Sequence, residues 1–333
     1  MRIAQVATSS GPVRADRTGS VESLVWLLTR ELRRLGHEVT VFACAGSEAE
    51  GELVVTHPGP YGAPGVPSDW QACDWITLAE AIAQSGRFDV VHSHAYLWGL
   101  PLERFSRAPV VHTMHTMPYE DERLMLERFP SARVIAASRA QWQGVAARPP
   151  FAVIHHGVDP DLFTFRETPG DYLCYLGRFI PAKGPLEAIL AAKEAGMPIV
   201  LAGPSSPCFE QAILPLVDGD RVRYAGEVDS RQRDALLGGA RALLYPLREP
   251  EPFGLVQAEA MLCGTPVVAP AIGAVTEVVD DGVTGVVVAS ADRIADGVER
   301  AAGLSRARVR EWAAARFSAV RMAMDHVDVY RRL

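Results

Sequence analysis

Two carboxylates, Glu251 and Glu259, stand with seven residues between them in the stretch Glu249-Pro-Glu-Pro-Phe-Gly-Leu-Val-Gln-Ala-Glu-Ala-Met-Leu-Cys-Gly-Thr-Pro266. Glu251 precedes an apolar helix and Glu259 lies within it. Pro252 and Gly254 suit a sharp entry, after which the amides of Phe253, Gly254, Leu255 and Val256 face outward from the helix N-terminus. Such an end holds a phosphate through free N–H groups and the macrodipole. A carboxylate beside it, Glu251, can instead accept hydrogen bonds from a polyol, and Glu259 can do the same two turns later.

A cationic pair complements them. The run Gly177-Arg-Phe-Ile-Pro-Ala-Lys-Gly184 puts Arg178 and Lys183 between the end of a strand and the mouth of the next helix, which suits a pyrophosphate clamp. Lys183 is one of only two lysines among 33 basic residues, the other being Lys193, which reads as a surface residue. A third segment, Ser9 to Ser20, is glycine-bearing but has neither G-x-G-x-x-G nor Walker A spacing. It argues against a nicotinamide or NTPase fingerprint, yet can bring Gly19 close to a phosphate. Six of the nine histidines fall in three groups, His92/His94, His112/His115 and His155/His156, all at strand ends. No Cys/His ligand spacing accompanies them, so no metal site is expected. A hydrogen-bonded structural role fits each one, and a histidine at a cleft can donate to a sugar hydroxyl or a developing charge.

These residues need strand ends to carry them. Short Val/Ile/Ala runs alternate with amphipathic segments, the pattern of parallel βαβ units. Strands are expected at 2–8, 38–43, 89–93, 109–114, 133–138 and 151–155, and again at 172–177, 198–202, 222–225, 241–246, 266–269 and 285–289. Val21, Leu24, Val25, Leu28 and Leu32 give the first helix, 20–35, an apolar stripe, and Gly36 stops it. Further helices are expected at 184–195 and 255–263 and through the tail from 291, whereas 56–69 reads as a Pro/Gly-rich loop. The pattern breaks at Gly157-Val-Asp-Pro160. The expected domains are therefore 1–157 and 158–316, with residues 317–333 a helix crossing back to the first. In open α/β sheets ligands sit outside the carboxyl ends of the strands.

Composition narrows the function classes. The 333 residues, 48% hydrophobic and 22% charged, exclude disorder and suit two domains. A net charge of −7 argues against a broad nucleic-acid surface. Five widely spaced cysteines without a C-x-x-C pair read as reduced thiols of a cytoplasmic protein. Neither a signal peptide nor a membrane-spanning run is expected. Arg30, Arg33 and Arg34 form a small basic cluster on the first helix, which leaves peripheral membrane contact open.

Glu251-Pro-Phe-Gly-Leu255 through Glu259-Ala-Met261, followed by Gly264-Thr-Pro-Val-Val-Ala269, resembles the E-x7-E signature of the retaining glycosyltransferases of group 1, family 4-like. The resemblance runs the whole chain in the family's order. It includes Gly36-His-Glu-Val39, Asp89-Val-Val-His-Ser-His94, Val153 to Asp159, Gly177-Arg178 with Lys183-Gly184, and Gly273 with Glu277 before Asp281-Gly-Val-Thr-Gly285. It implies an α/β GT-B fold, two Rossmann-like domains facing each other across a cleft, the first on the acceptor side and the second binding a nucleotide sugar.

The implied roles follow residue by residue. Arg178 and Lys183 hold the donor diphosphate, helped by amides at Phe253, Gly254, Leu255 and Val256 and by Gly19. Glu259 binds the ribose, Glu251 holds hydroxyls of the donor sugar, and His115 contacts that sugar from the other domain. No metal or other cofactor is implied, and the partners are a nucleotide-diphospho sugar and a small-molecule acceptor. The departures are a single Gly19 where paired glycines are frequent, His156 where asparagine is common, and short connections in the acceptor half. A specialised metabolite such as an antibiotic is the expected acceptor, with polysaccharide or lipid as alternatives. A nucleotide-sugar epimerase of related fold is the competing enzyme class.

Overall fold

Alternating strands and helices build two all-parallel sheets in the computed structural model, which describes residues 1–15, 21–145 and 148–333. The chain divides into two units, Met1–Gly157 with Ala319–Leu333, and Val158–Ser318. The first holds seven strands: β1 (Arg2–Val6), β2 (Glu38–Cys44), β3 (Glu52–His57), β4 (Val90–Ser93), β5 (Val110–Met114), β6 (Val134–Ala136) and β7 (Ala152–Val153). Their order is β3-β2-β1-β4-β5-β6-β7. The sheet is wound outward in both directions from β1, so its switch point lies outside the carboxyl ends of β1 and β4.

Helices α1 (Val21–Arg34), α2 (Trp70–Ala83), α3 (Glu120–Arg128) and α4 (Arg139–Trp142) accompany this sheet. Val25, Leu28 and Leu32 of α1 pack with Ile3, Val39 and Val41. The C-terminal helix Ala319–Tyr330 joins this cluster through Met322, Ala323, Val327 and Tyr330. Leu78, Ala81 and Ile82 of α2 form a second cluster with Phe42, Phe88 and Val91. With core on both sides, β4 and β5 are buried throughout, each opening on a Val-Val pair before its buried polar residues His92 and Ser93 or His112 and Thr113.

The second unit repeats the winding with six strands: β8 (Leu173–Leu176), β9 (Ile199–Ala202), β10 (Val222–Tyr224), β11 (Leu243–Leu244), β12 (Val267–Pro270) and β13 (Gly285–Val288). The order β10-β9-β8-β11-β12-β13 sets its switch point between β8 and β11. Its helices are α5 (Pro185–Glu194), α6 (Ser230–Gly239), α7 (Leu255–Leu262), α8 (Val275–Val278), α9 (Ile294–Ala302) and α10 (Arg306–Phe317).

Two elements differ from the sequence expectation. Strand β3 was not anticipated, and its end overlaps the start of the expected loop at 56. It is an edge strand, mostly partly exposed, and lacks the continuous apolar signature of its buried neighbours. The tail is not one helical run. Ser318 is extended, and the Val158 amide donates to the Phe317 carbonyl at 2.7 Å, so the entry and exit of the second unit lie side by side.

Candidate functional site

In the second unit the loops leaving β8 and β11 meet at the switch point. The β8 loop turns at Gly184, whose φ of 66° is left-handed. A Cβ there would run into the Pro246 carbonyl, which explains why glycine stands beside the lysine. The two loops are also joined by the Arg248 amide, which donates to the Ala182 carbonyl at 2.9 Å. This contact brings Lys183 onto the β11 loop. Its ammonium forms an ion pair with Glu251 Oε1 and lies 5.9 Å from the centre of the Tyr245 ring. Glu251 Oε2 is buried and has no hydrogen-bond partner, so an acceptor remains available.

Glu251 is fixed from a second side. At Gly273 a Cβ would come within 2.6 Å of the Glu251 nitrogen and 2.8 Å of its oxygen, and the Ala274 amide donates to that oxygen. Gly254 then turns left-handed at φ 85° and starts α7, with no side chain capping the first-turn amides. The Leu255 and Val256 amides thus open α7 shortly after Glu251 in the chain. Phe253 offers only its backbone, because its ring is 2% exposed and packs edge-on against Phe317. Arg178 is exposed on the β8 loop, and its guanidinium makes no ion pair or hydrogen bond among the described residues.

Glu259 sits one helical stretch further along α7, where Arg233 Nη1 of α6 donates to its Oε2 at 2.6 Å. Sequence reasoning did not single out Arg233, which is 26 positions away on another helix. Tyr245 and Gln257 were missed as well. Both are buried, the Tyr245 hydroxyl and Gln257 Oε1 have no partner, and a Cβ on Gly254 would lie 2.6 Å from that hydroxyl. Only their adjacency to the β11 end could have pointed to them.

In the first unit, Gly19 lies outside the described residues. The preceding loop is held by two buried acids: Ser9 donates to Asp74 from both its amide and its hydroxyl, while Thr8 and Ser10 donate to Glu22. Of the Arg30, Arg33 and Arg34 cluster, Arg33 and Arg34 are exposed and Arg30 is buried. Arg30 is 8% exposed, and both it and Arg34 are paired with buried Glu31.

The histidines gather instead at the carboxyl ends of β4 and β5. His92, His94 and His115 stack in series, His156 stacks on His115, and His326 of the C-terminal helix stacks on His92. Burial, reinforced by the neighbouring imidazoles, holds His92, His94, His115 and His156 well below the usual histidine range, and burial pushes His326 down to about 4. Unfolding lets such a ring take up a proton, so stability present at pH 7 is lost as pH falls from about 6.5 toward that value. From pH 7 to pH 5 the loss from His326 is about 2 kcal/mol. Asp74 has the opposite sign: burial raises its carboxyl to about 6, so acidification below that value favours its folded form. Burial raises the Glu122 carboxyl as well, but five imidazoles outweigh these two acids, and the urea midpoint is expected to drop between pH 7 and pH 5. A midpoint that holds or rises would contradict a neutral cluster.

Comparison with known proteins finds this chain similar to sugar transferases. Residues 164–314 match the family described as Glycosyl transferases group 1, and residues 21–162 match Glycosyltransferase Family 4. The chain is 31% identical to a D-inositol 3-phosphate glycosyltransferase of Mycolicibacterium smegmatis, covering 95% of this chain and 88% of that protein. Among solved structures it is similar to AviGT4, a glycosyltransferase involved in avilamycin A biosynthesis (26% identity, TM-score 0.74, 100% of this chain and 98% of that one). A sucrose-phosphate synthase from Thermosynechococcus elongatus shares the fold at 22% identity and TM-score 0.82, over 100% and 98% of the two chains. The two Rossmann-like units are thus those of the GT-B fold.

Proposed function

We infer, for a chain that belongs to the group 1 glycosyltransferases, that it moves a sugar from a nucleotide-diphospho donor to a hydroxyl of a small acceptor and retains the anomeric configuration. The observation that carries this reading is the Lys183–Glu251 ion pair at the β8/β11 switch point, beside an uncapped helix start. Lys183, exposed Arg178 and the first-turn amides of α7 take the diphosphate. Glu251, with its spare Oε2, accepts from hydroxyls of the donor sugar. Glu259, oriented by Arg233, serves the ribose. His115 hydrogen-bonds the donor sugar from the first unit. The acceptor oxygen bonds to the anomeric carbon as the bond to the diphosphate breaks, and the leaving phosphate takes the acceptor proton.

Two cations and a helix N-terminus supply the charge stabilisation that a metal would otherwise give, so the transfer is proposed to be metal-independent. Turnover is expected to be unchanged in EDTA, and a loss restored by magnesium would refute this. Lys183→Ala is expected to weaken nucleoside-diphosphate binding by about 1.5–3 kcal/mol, roughly ten- to hundred-fold, because one charged hydrogen bond is lost. Calorimetry with UDP, GDP, ADP and dTDP checks this and identifies the base, and unaltered affinity would remove Lys183 from the clamp.

The acceptor proposed is a small polyhydroxylated molecule such as a cyclitol or a specialised metabolite, a reading supported by the likeness to the inositol-phosphate transferase and to AviGT4. Among the described residues no helix is long and apolar enough to cross a membrane, and the five cysteines are free thiols. A cytoplasmic enzyme is proposed on that basis. Donor consumption with and without candidate acceptors, with the product anomer read by NMR, tests the whole reading. Acceptor-free epimer formation would replace it with the epimerase alternative, and an inverted product would end the claim of retention.

A further inference from the structure

Of the five stacked histidines the proposed function uses only His115, yet its ring is one end of a continuous hydrogen-bond chain. His115 Nε2 lies 3.0 Å from His94 Nδ1, and His94 Nε2 lies 2.7 Å from Gln5 Oε1 on β1. Gln5 Nε2 donates to the Tyr330 hydroxyl of the C-terminal helix at 3.2 Å. That hydroxyl lies 2.7 Å from His92 Nδ1, and His92 Nε2 lies 2.7 Å from Thr113 Oγ1. Gln5, His92, His94 and Tyr330 are all at most 5% exposed, so water does not interrupt the chain.

Each neutral imidazole has one donor and one acceptor nitrogen, which means that a single direction of donation runs through all the links. The Gln5 amide selects that direction. Its Nε2 donates to the Tyr330 hydroxyl, which leaves the phenol proton for His92 Nδ1. Its Oε1, an acceptor only, faces His94. His94 carries its proton on Nε2, leaving Nδ1 to accept from His115 Nε2–H. The remaining nitrogen, His115 Nδ1, is a buried lone pair with no partner. The ring lines a pocket with Thr8, Tyr96 and Glu122.

We propose that Tyr330 and Gln5 are positioning residues which, through His94, hold His115 in its Nε2–H tautomer and present Nδ1 as a hydrogen-bond acceptor. The inference rests on the reading that His115 meets a sugar hydroxyl, and it reverses the donor role expected of a cleft histidine. It also assigns a task to the C-terminal helix: that segment belongs to the first unit and supplies the phenol that accepts from Gln5 Nε2 and links the amide to His92. A tautomer locked by buried partners costs no rearrangement when the hydroxyl arrives.

Histidine-labelled full-length protein, examined by long-range proton–nitrogen NMR at neutral pH, reads the tautomers directly. His94 and His115 are expected as Nε2–H in the unaltered protein. Gln5→Leu removes the Oε1 acceptor of the His94 proton, and Tyr330→Phe removes, at constant shape, the hydroxyl that holds the Gln5 amide in that orientation. In both, Nδ1–H His115 is expected to appear, with kcat/KM down about ten-fold, the worth of one hydrogen bond. An Nδ1–H His115 in the unaltered protein would overturn the proposal, as would an unchanged tautomer in both variants. His115→Ala with normal transfer would instead refute the sugar contact, leaving the tautomer result to stand separately.

Discussion

Glu251→Gln is expected to lower kcat by roughly 10²–10³-fold while leaving nucleoside-diphosphate affinity equal or tighter. The split follows from the ion pair. In the free protein the Lys183 ammonium is engaged by Glu251 Oε1, and that contact competes with any phosphate. Removing the carboxylate charge releases the lysine for the diphosphate. The same change weakens the buried acceptor that Oε2 offers to the sugar, where charge develops as the anomeric bond breaks. Lys183→Ala should do the reverse, losing nucleotide affinity first. Steady-state kinetics combined with calorimetry separates the two. If Glu251→Gln turned over normally, the carboxylate would have no part in the transfer, and if both variants lost affinity alike, the pair would be one structural unit.

Gly184→Ala is expected to destabilise the second unit by about 3–5 kcal/mol and to abolish nucleotide binding. Alanine in a left-handed conformation costs about 1–2 kcal/mol by itself. The larger share comes from the collision of its Cβ with the Pro246 carbonyl. Backbone movement cannot relieve this cheaply, because the Arg248–Ala182 hydrogen bond fastens the same two loops. Gly282 is the control. It has a φ of 77°, but a Cβ there meets nothing within 4 Å, so Gly282→Ala should cost only the conformational part, about 1–2 kcal/mol. Urea denaturation of both variants measures the difference, and equal costs would show that the loop junction tolerates a side chain.

The legible and illegible parts of the site differ in how far apart their members lie along the chain. Lys183 with Gly184, and Glu251 with Gly254 and Glu259, belong to two short segments in which loop and helix start are contiguous, so residue type and spacing announce them. Arg233 meets Glu259 from another helix, and Tyr330 meets Gln5 across 325 positions, so no local pattern marks either contact. Strand β3 escaped for a related reason: an edge strand is only partly buried, and burial is what writes periodicity into sequence.

By itself, the sequence determined the α/β class, the two sheets with most of their strands, and the two segments that meet at the β8/β11 switch point. Apolar runs must be buried, and a glycine such as Gly184 must stand where two loops approach closely. Only the tertiary structure decided which charges neutralise each other. It pairs Lys183 with Glu251 and Arg233 with Glu259, and it buries Arg30 against Glu31, which exposed Arg34 also reaches. It also joined His92, His94, His115 and His156, scattered along the chain, with His326 into one buried stack. Hydrogen-bond direction depends on every partner in such a stack at once, and those partners are assembled only when the chain folds.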